Sequence, residues 1–455
     1  MSGRSGPPGS SARVSRARRS ARRETAASRL PVRALARALP VAVLVAALAA
    51  HSASAVVVHL PDGRALSYQP LRRAVAPAPT DGLFSNVEYN FGPVMASNTN
   101  YAFYWESPGA PRYPPGYQRG VDRYFRDLAH DSGGAQNVDS VSAQYNDSSG
   151  EFASYDSRFG GAIIDIAPYP ANGCRRAAIC LTDAQIRTEL AAYLTVHGLP
   201  MDVVHEYFFL PPPGVESCSE PGGRECSAGT SHAEYCAYHS SFEVGVRGVV
   251  VYSNDPYVTG IPECDDGNHP NASAADGQIE GGLTHEHNES ITDPIPGSAW
   301  EDTLTGEEVG DRCNANMGAA LGTAPDGAAY NQVINGHLYW YEQVWSNQGH
   351  RCLQRLAFAG AEPTAAFTAT PERHLTVAFD AGASTAPGGI AEYVWEFNYA
   401  PYSARRELAH EKTLATGAPT VSFTFPKAGS FEVGLTVFAH DGTSLGTARA
   451  VEAVR

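Results

Sequence analysis

The residues best placed to do chemistry lie in Gly282-Leu-Thr-His285-Glu286-His287-Asn288-Glu289-Ser-Ile-Thr-Asp293-Pro294. Ile279, Leu283 and Ser290/Ile291 keep to one face of a helix, Asp276 is placed to cap its start, and Asp293-Pro294 ends it. On such a helix His285 and Glu289 stand one turn apart and point the same way. An imidazole nitrogen and a carboxylate oxygen so spaced can grip one Zn²⁺, which then needs a third protein ligand. Glu308 and Asp311, in Gly306-Glu-Glu-Val-Gly-Asp-Arg-Cys313, are the candidates. A disulfide at Cys313 would stiffen the segment that folds them back over the helix. His287 points about 200° around the axis from His285 and is excluded from that set.

Glu286 directly follows the first ligand. In His-Glu-x-x-His zinc sites that position holds the general base that deprotonates the attacking water. Here the second histidine is replaced by Glu289, which lowers the site's net charge and weakens the metal as a Lewis acid. The bland alternative for His285 and Glu289 is a solvated polar helix face. His205-Glu206, a similar pair in a strand-like run, reads as structural, and Glu301, Asp302 and Glu307 read as surface acids.

His285-Glu-x-x-Glu289-x-x-Thr-Asp-Pro294, Ala299-Trp300 and Glu308-Val-Gly-Asp311-x-Cys313 together resemble the Exordium, or phosphate-induced protein, family. Its pattern runs His-Glu-x-x-Glu, Asn/Asp-Pro, Asn-Ala-Trp and Glu-Ile-x-Asp-x-Cys. Cys236-Ala-Tyr-His239 echoes its Cys-Gly-x-His, and on that match His239 becomes a further catalytic candidate beside Glu286. Pro93-Val-Met-x-Ser-Asn-Thr99 and Tyr330-Asn-Gln-Val-x-Asn-Gly336 are similar to blocks in bacterial secreted relatives. The resemblance covers about residues 90–355 and implies extracellular residence.

Composition narrows the partners. The formal charge is −15, and residues 1–40 are arginine-rich with Glu24 as their one acid, so the remaining chain is more acidic still. Such a body argues against nucleic acid or an anionic membrane surface. The basic lead runs into Val41-Ala-Val-Leu-Val-Ala-Ala-Leu-Ala-Ala50 and Ala53-Ser54-Ala55, the pattern of a secretory signal peptide cut after Ala55. That run is too short to span a bilayer. The 8 cysteines lie between Cys174 and Cys352. An even count in an exported chain reads as disulfides, here paired in sequence order, 174–180, 218–226, 236–264 and 313–352.

Helical spacing appears at Tyr117, Val121, Phe125 and Leu128, closed by Gly133-Gly134. A second helix is signed by a Thr182/Gln185 capping box, the Ile186-Leu190-Leu194 face and a stop at Gly198. Strand-like runs fall in Val94–Trp105, Val203–Leu210 and Val244–Tyr252, with a Cys- and Gly-rich excursion between the last two. Interleaved elements without a strict repeat imply an α+β domain whose metal helix is zincin-like. From Ala361 the chain turns to short alternating strands without cysteine. Phe379-Asp-Ala381, Tyr393-Val-Trp395-Glu-Phe397 and Ala428-Gly-Ser-Phe431-Glu-Val433 resemble the PKD domain, an immunoglobulin-like β-sandwich. The family's Gly-Asp-Gly after that strand is Asn398-Tyr-Ala400 here.

The expected organisation is a signal segment at 1–55, a linker or pro-segment at 56–85, a disulfide-bearing metallopeptidase-like domain at 86–356, a linker at 357–364 and the sandwich at 365–455. The expected function is that of a secreted, monomeric zinc endopeptidase-like protein acting on an extracellular protein or peptide. The rival readings are a non-catalytic extracellular protein with a structural metal site, and an adhesive module for a cell-envelope polymer or glycan.

Overall fold

The computed structural model describes residues 57–60, 62–72, 86–356, 363–386, 388–398, 411–440 and 445–454. The signal-peptide reading therefore falls outside the described residues. In chain order the strands up to Asn254 are β1 (Val57–His59), β2 (Ala65–Pro70), β3 (Glu88–Tyr89), β4 (Asn98–Trp105), β5 (Ser157–Asp165), β6 (Ile179–Thr182), β7 (His205–Phe209), β8 (Val215–Cys218), β9 (Cys226–Ser227), β10 (Ala233–Glu243) and β11 (Val249–Asn254), with short paired strands following between Trp300 and Leu353. All but β3 join one mixed sheet of order β5-β4-β7-β11-β10-β9-β8-β6, with β2 also on β10 and β1 on β2. β5, β4, β7 and β11 run parallel, while β10 returns antiparallel beside β11.

Two-residue alternation sends side chains to opposite faces. Ala102, Tyr104, Phe208 and Leu210 enter one core with Val121, Phe125 and Leu128 of helix α1 (Tyr117–His130). Phe103, Trp105, Tyr207 and Phe209 enter the other with Ile186, Leu190 and Leu194 of α2 (Asp183–His197). β4 and β7 are buried on both faces, which is why they read as near-continuous apolar runs. The Thr182/Gln185 capping box and the left-handed Gly198 stop both form as expected.

Four expectations are corrected. The strand expected at Val244–Tyr252 begins only at Val249, because Gly245–Arg247 forms a 3₁₀ turn before it. The Cys-rich excursion contains β10, eleven residues long, which places His239. Residues 57–72 are no linker in the folded chain, since β1 and β2 are sheet strands. The helix carrying His285 is capped by Ser273, with Asp276 as the reciprocal N3 partner. That helix, called the site helix below, runs from Ala274–Gln278 through a π segment, Ile279–Leu283, into Thr284–Thr292. π segments inside α-helices recur at functional sites.

All four disulfides form in the expected sequence-order pairing. Towards the C-terminus, Thr368–Pro371, Thr376–Asp380 and Thr420–Thr424 make one sheet, and Glu411–Thr416, Ile390–Asn398, Gly429–Ala439 and Leu445–Val454 make a second. Val377, Phe379, Trp395, Phe397, Phe431, Val433 and Leu435 fill the space between them. Trp395 and Phe397 are core residues, as their alternation implies. Val394 and Phe438, on the opposite face, pack with the main-domain core, and His350 Nε2 meets Glu396 Oε1 at 2.8 Å.

Candidate metal centre

Three elements converge. The site helix supplies His285, Glu286 and Glu289, β10 supplies His239, and the segment after the helix supplies Glu308 and Asp311. Every residue of Thr284–Thr292 is buried, so the solvated-face reading does not hold. Glycine makes the close packing possible. A β-carbon on Gly282 would stand 2.9 Å from Ala237 Cβ on β10, and one on Gly310 would stand 2.8 Å from Glu289 Oε1. The second contact shows how tightly the Glu308–Asp311 turn lies over the helix.

His285 Nε2 is 3.1 Å from Glu289 Oε1 and 3.4 Å from Asp311 Oδ1. Donors about 2.1 Å from a tetrahedral zinc stand about 3.4 Å apart, so both His285 distances suit a ligand trio whose atoms all lie within 4.8 Å of one another. Asp311 rather than Glu308 completes the trio. Glu308 lies instead 3.7 Å from Nε2 of His239. Glu308 N donates to Asp311 Oδ2 at 2.8 Å and Asp311 N to Glu289 Oε1 at 3.0 Å, which ties the turn to the helix.

The other ring nitrogens are anchored. His285 Nδ1 bonds Glu342 Oε1, whose partner oxygen accepts from Ala315 N at 2.9 Å. A carboxylate that accepts a hydrogen bond from Nδ1–H fixes the tautomer that leaves the Nε2 lone pair for a metal. His239 Nε2 donates to the Asp293 carbonyl at 3.1 Å, so its Nδ1 faces Glu286 Oε2 at 3.1 Å as an acceptor. Glu286 Oε1 accepts from Gln69 N of β2 at 3.2 Å. His287 is turned elsewhere, towards Asn98, Asn100 and Asp139, as helical geometry requires.

Burial opposes charge throughout the cluster. It pushes the Glu286, Glu308 and Asp311 carboxyls well above the usual carboxylate range and depresses the His239 imidazole. On His285 burial is outweighed by the adjacent Glu289 and Glu342 carboxylates, which raise the imidazole well above its ordinary value. Glu289 is likewise buried, yet His285 and then His239 hold it below the usual range. His285 Nε2, Glu289 Oε2, both Glu308 oxygens and Asp311 Oδ1 are buried without a hydrogen-bond partner. Buried polar atoms are rarely left so. The residues present therefore fit a divalent cation, with imidazole and carboxylate donors of the kind zinc accepts.

Sequence reasoning missed Glu342 and the role of the Asp293 carbonyl. Glu342 follows a run of aromatics with no motif spacing, and only folding brings it to His285. Glu301 and Asp302, read as surface acids, are buried: Glu301 accepts from Asn90 Nδ2 at 2.9 Å, and Asp302 pairs with Arg312. Glu206 is buried too and accepts from Ser290 Oγ of the site helix at 2.7 Å, a structural role as expected.

The loop before the site helix carries a titrating clasp. Asp265 accepts from His269 Nε2 at 2.9 Å and from Gly260 N at 2.6 Å. The Asp265 bond raises His269, while Asp265, against its partial burial, is lowered by His269 and the Gly260 and Gly267 amides. Stability from a raised histidine is full below its ordinary value and fades as pH rises through the folded one. Stability from a lowered carboxylate is full above its ordinary value and fades on acidification. His269→Asn is therefore expected to lower the melting temperature most between about pH 4 and 6.5, with the gap from wild type narrowing at alkaline pH. A gap that widens with rising pH would contradict this pairing.

The fold and this cluster define a mixed α/β domain that presents a buried His/carboxylate centre, followed by a β-sandwich. Residues 364–451 match the PKD domain family, and this C-terminal sandwich is a PKD domain. No curated protein matches the chain. Among solved structures, the PKD1 domain from Vibrio cholerae metalloprotease PrtV is 26% identical, with 21% of this chain and 98% of that one covered and a TM-score of 0.17. A structure of carbohydrate-binding modules from the β-sandwich superfamily is 27% identical, covering 21% of this chain and 36% of that one, with a TM-score of 0.18. Wild-type OgpA from Akkermansia muciniphila is 10% identical over 83% of this chain and 99% of its own, with a TM-score of 0.21. Scores this low establish no shared fold across the whole chain.

Proposed function

We propose that the chain is a secreted zinc-dependent endopeptidase-like hydrolase whose site helix is zincin-like. His285, Glu289 and Asp311 hold the ion, and Glu308 lies close by as a reserve carboxylate. The observation that carries this reading is the buried convergence of His285 Nε2, Glu289 Oε1 and Asp311 Oδ1, of which the His285 and Asp311 atoms have no hydrogen-bond partner. Zinc bound there would polarise a substrate carbonyl and acidify a water molecule. With the cation's charge holding its carboxyl ionised, Glu286 would take a proton from the attacking water while the water oxygen bonds to the carbonyl carbon. His239, hydrogen-bonded to Glu286, steadies that carboxyl and helps return the proton to the amine as the C–N bond breaks.

Four disulfides suit an oxidising, extracellular setting. Among the described residues, no helix is long and apolar enough to cross a membrane. The PKD domain serves in this proposal as an accessory module that holds the enzyme to an envelope polymer or a partner protein.

Mass-spectrometric metal analysis of the purified chain, dialysed after zinc loading, is expected to find one zinc per chain, lost in His285→Ala. A zinc-free wild type would remove the proposal. One observation favours a second reading, an Exordium-type protein with a structural ion. His239, Glu286 and Glu289 have no exposure at all, so no substrate reaches them in this conformation. Retained zinc without hydrolysis, whatever is done to open the site, would select that reading.

A further inference from the structure

We infer that β2 occupies the groove in which an extended polypeptide substrate binds, and that its departure is what opens the site. This rests on the peptidase reading above. One edge of β10 pairs with β11, and the other is taken by β2, antiparallel, through Tyr235↔Pro70, Ala237↔Gln69, Tyr238↔Tyr68, His239↔Ser67 and Ser240↔Leu66. The covering strand thus crosses the metal centre with Ser67 opposite His239. Its Gln69 N–H is the donor that engages Glu286, the carboxyl assigned to the water. A main-chain amide from a neighbouring strand therefore sits where a bound peptide's own backbone would run.

Further contacts fasten the strand's end. Asn314, just past Cys313, donates Nδ2 to the Pro70 carbonyl at 2.9 Å. Arg72 pairs with Glu280 on the site helix, and Arg72 N donates to the Glu263 carbonyl at 3.0 Å. Tyr68 stacks on Tyr235 with ring centroids 5.0 Å apart and meets Tyr238 edge-on at 5.5 Å. With these in place the cluster is sealed.

Removing β2 leaves a row of unpaired backbone groups on β10 directly above His239 and Glu286. Such an edge recruits an extended chain through main-chain hydrogen bonds, with alternate side chains entering pockets. The pocket left by Tyr68, walled by Tyr235 and Tyr238, takes an aromatic side chain. The position left by Ser67, opposite His239, takes a small one. The substrate class is accordingly an extended polypeptide with an aromatic residue next to a small residue.

The test uses the full chain with a specific protease site inserted between Pro77 and Ala78. After cutting, the fragment bearing β2 is expected to leave, amide exchange at Ala237–Ser240 to speed up, and casein turnover to rise at least tenfold. A synthetic peptide spanning Val57–Arg72 should rebind and reverse all three effects. Gln69→Pro in the uncut chain, which removes the N–H given to Glu286, should raise exchange and turnover in the same direction. An intact chain already as active as the cut one would overturn the inference, as would a cut fragment that leaves without altering exchange at β10. Faster exchange and peptide rebinding on a zinc-loaded chain without turnover would uphold the groove and defeat the peptidase reading instead.

Discussion

Glu286→Gln is expected to lower peptide hydrolysis about 10³-fold, the scale on which a positioned general base contributes, while zinc content stays at wild-type level. The substitution keeps the shape of the side chain and removes its basicity. Glu286 groups instead with His239 and Glu289 and lies outside the His285–Glu289–Asp311 trio, which survives the substitution. The amide of Gln69 still finds an oxygen to meet, which argues against a local collapse. Measured on the opened chain, kcat should fall with little change in KM, because the carboxyl acts on the reacting water more than on substrate binding. Equal turnover in the variant would discard the assigned base. Loss of zinc together with turnover would move Glu286 into the ligand set.

The second large effect concerns the covalent brace behind the segment that carries Glu308 and Asp311. Cys313 joins Cys352 across 39 residues and sits two positions beyond Asp311. Replacing both cysteines by serine is expected to cost about 4 kcal/mol of unfolding free energy, the loop-entropy value for a ring of that size. Function should suffer separately. Glu308 and Asp311 lie on a short turn whose position depends on the Arg312–Asp302 pair and on the disulfide. Loosening it should weaken zinc binding about 10- to 100-fold, as loss of supporting contacts around a metal ligand does. Urea titration and competition with a zinc chelator measure the two effects independently. A double variant with wild-type zinc affinity would show that the backbone hydrogen bonds from Asp311 to Glu289 and from Glu308 to Asp311 hold the turn unaided.

The parts of the site lying on one helix were legible because their geometry is local. His285 and Glu289 share a face by helical spacing alone, and His287 is excluded by the same rule. The Thr182/Gln185 capping box, the Gly198 stop and the disulfide pairing also depend on short-range spacing. The strand carrying His239 was harder to see. Tyr235, Tyr238 and Phe242 of β10 are all buried, but Cys236 and the cysteines and glycines upstream of it resemble turn composition. Residues 57–72 misled for a related reason: a short strand near an Ala/Pro-rich stretch looks like linker until a partner edge is known.

The chain by itself therefore determined the helix that presents an imidazole and two carboxyls, the four cross-links, and the character of the C-terminal module. Periodicity, capping chemistry and loop length act over a few residues and need no knowledge of the rest. Only the tertiary structure decided that Asp311 and not Glu308 meets His285, that Glu342 orients its ring, and that β2 lies over Glu286. These are contacts between residues 26 to 217 positions apart. They follow from how a mixed sheet orders its strands, and burial decides which of many acids lose water and become candidates to hold a cation.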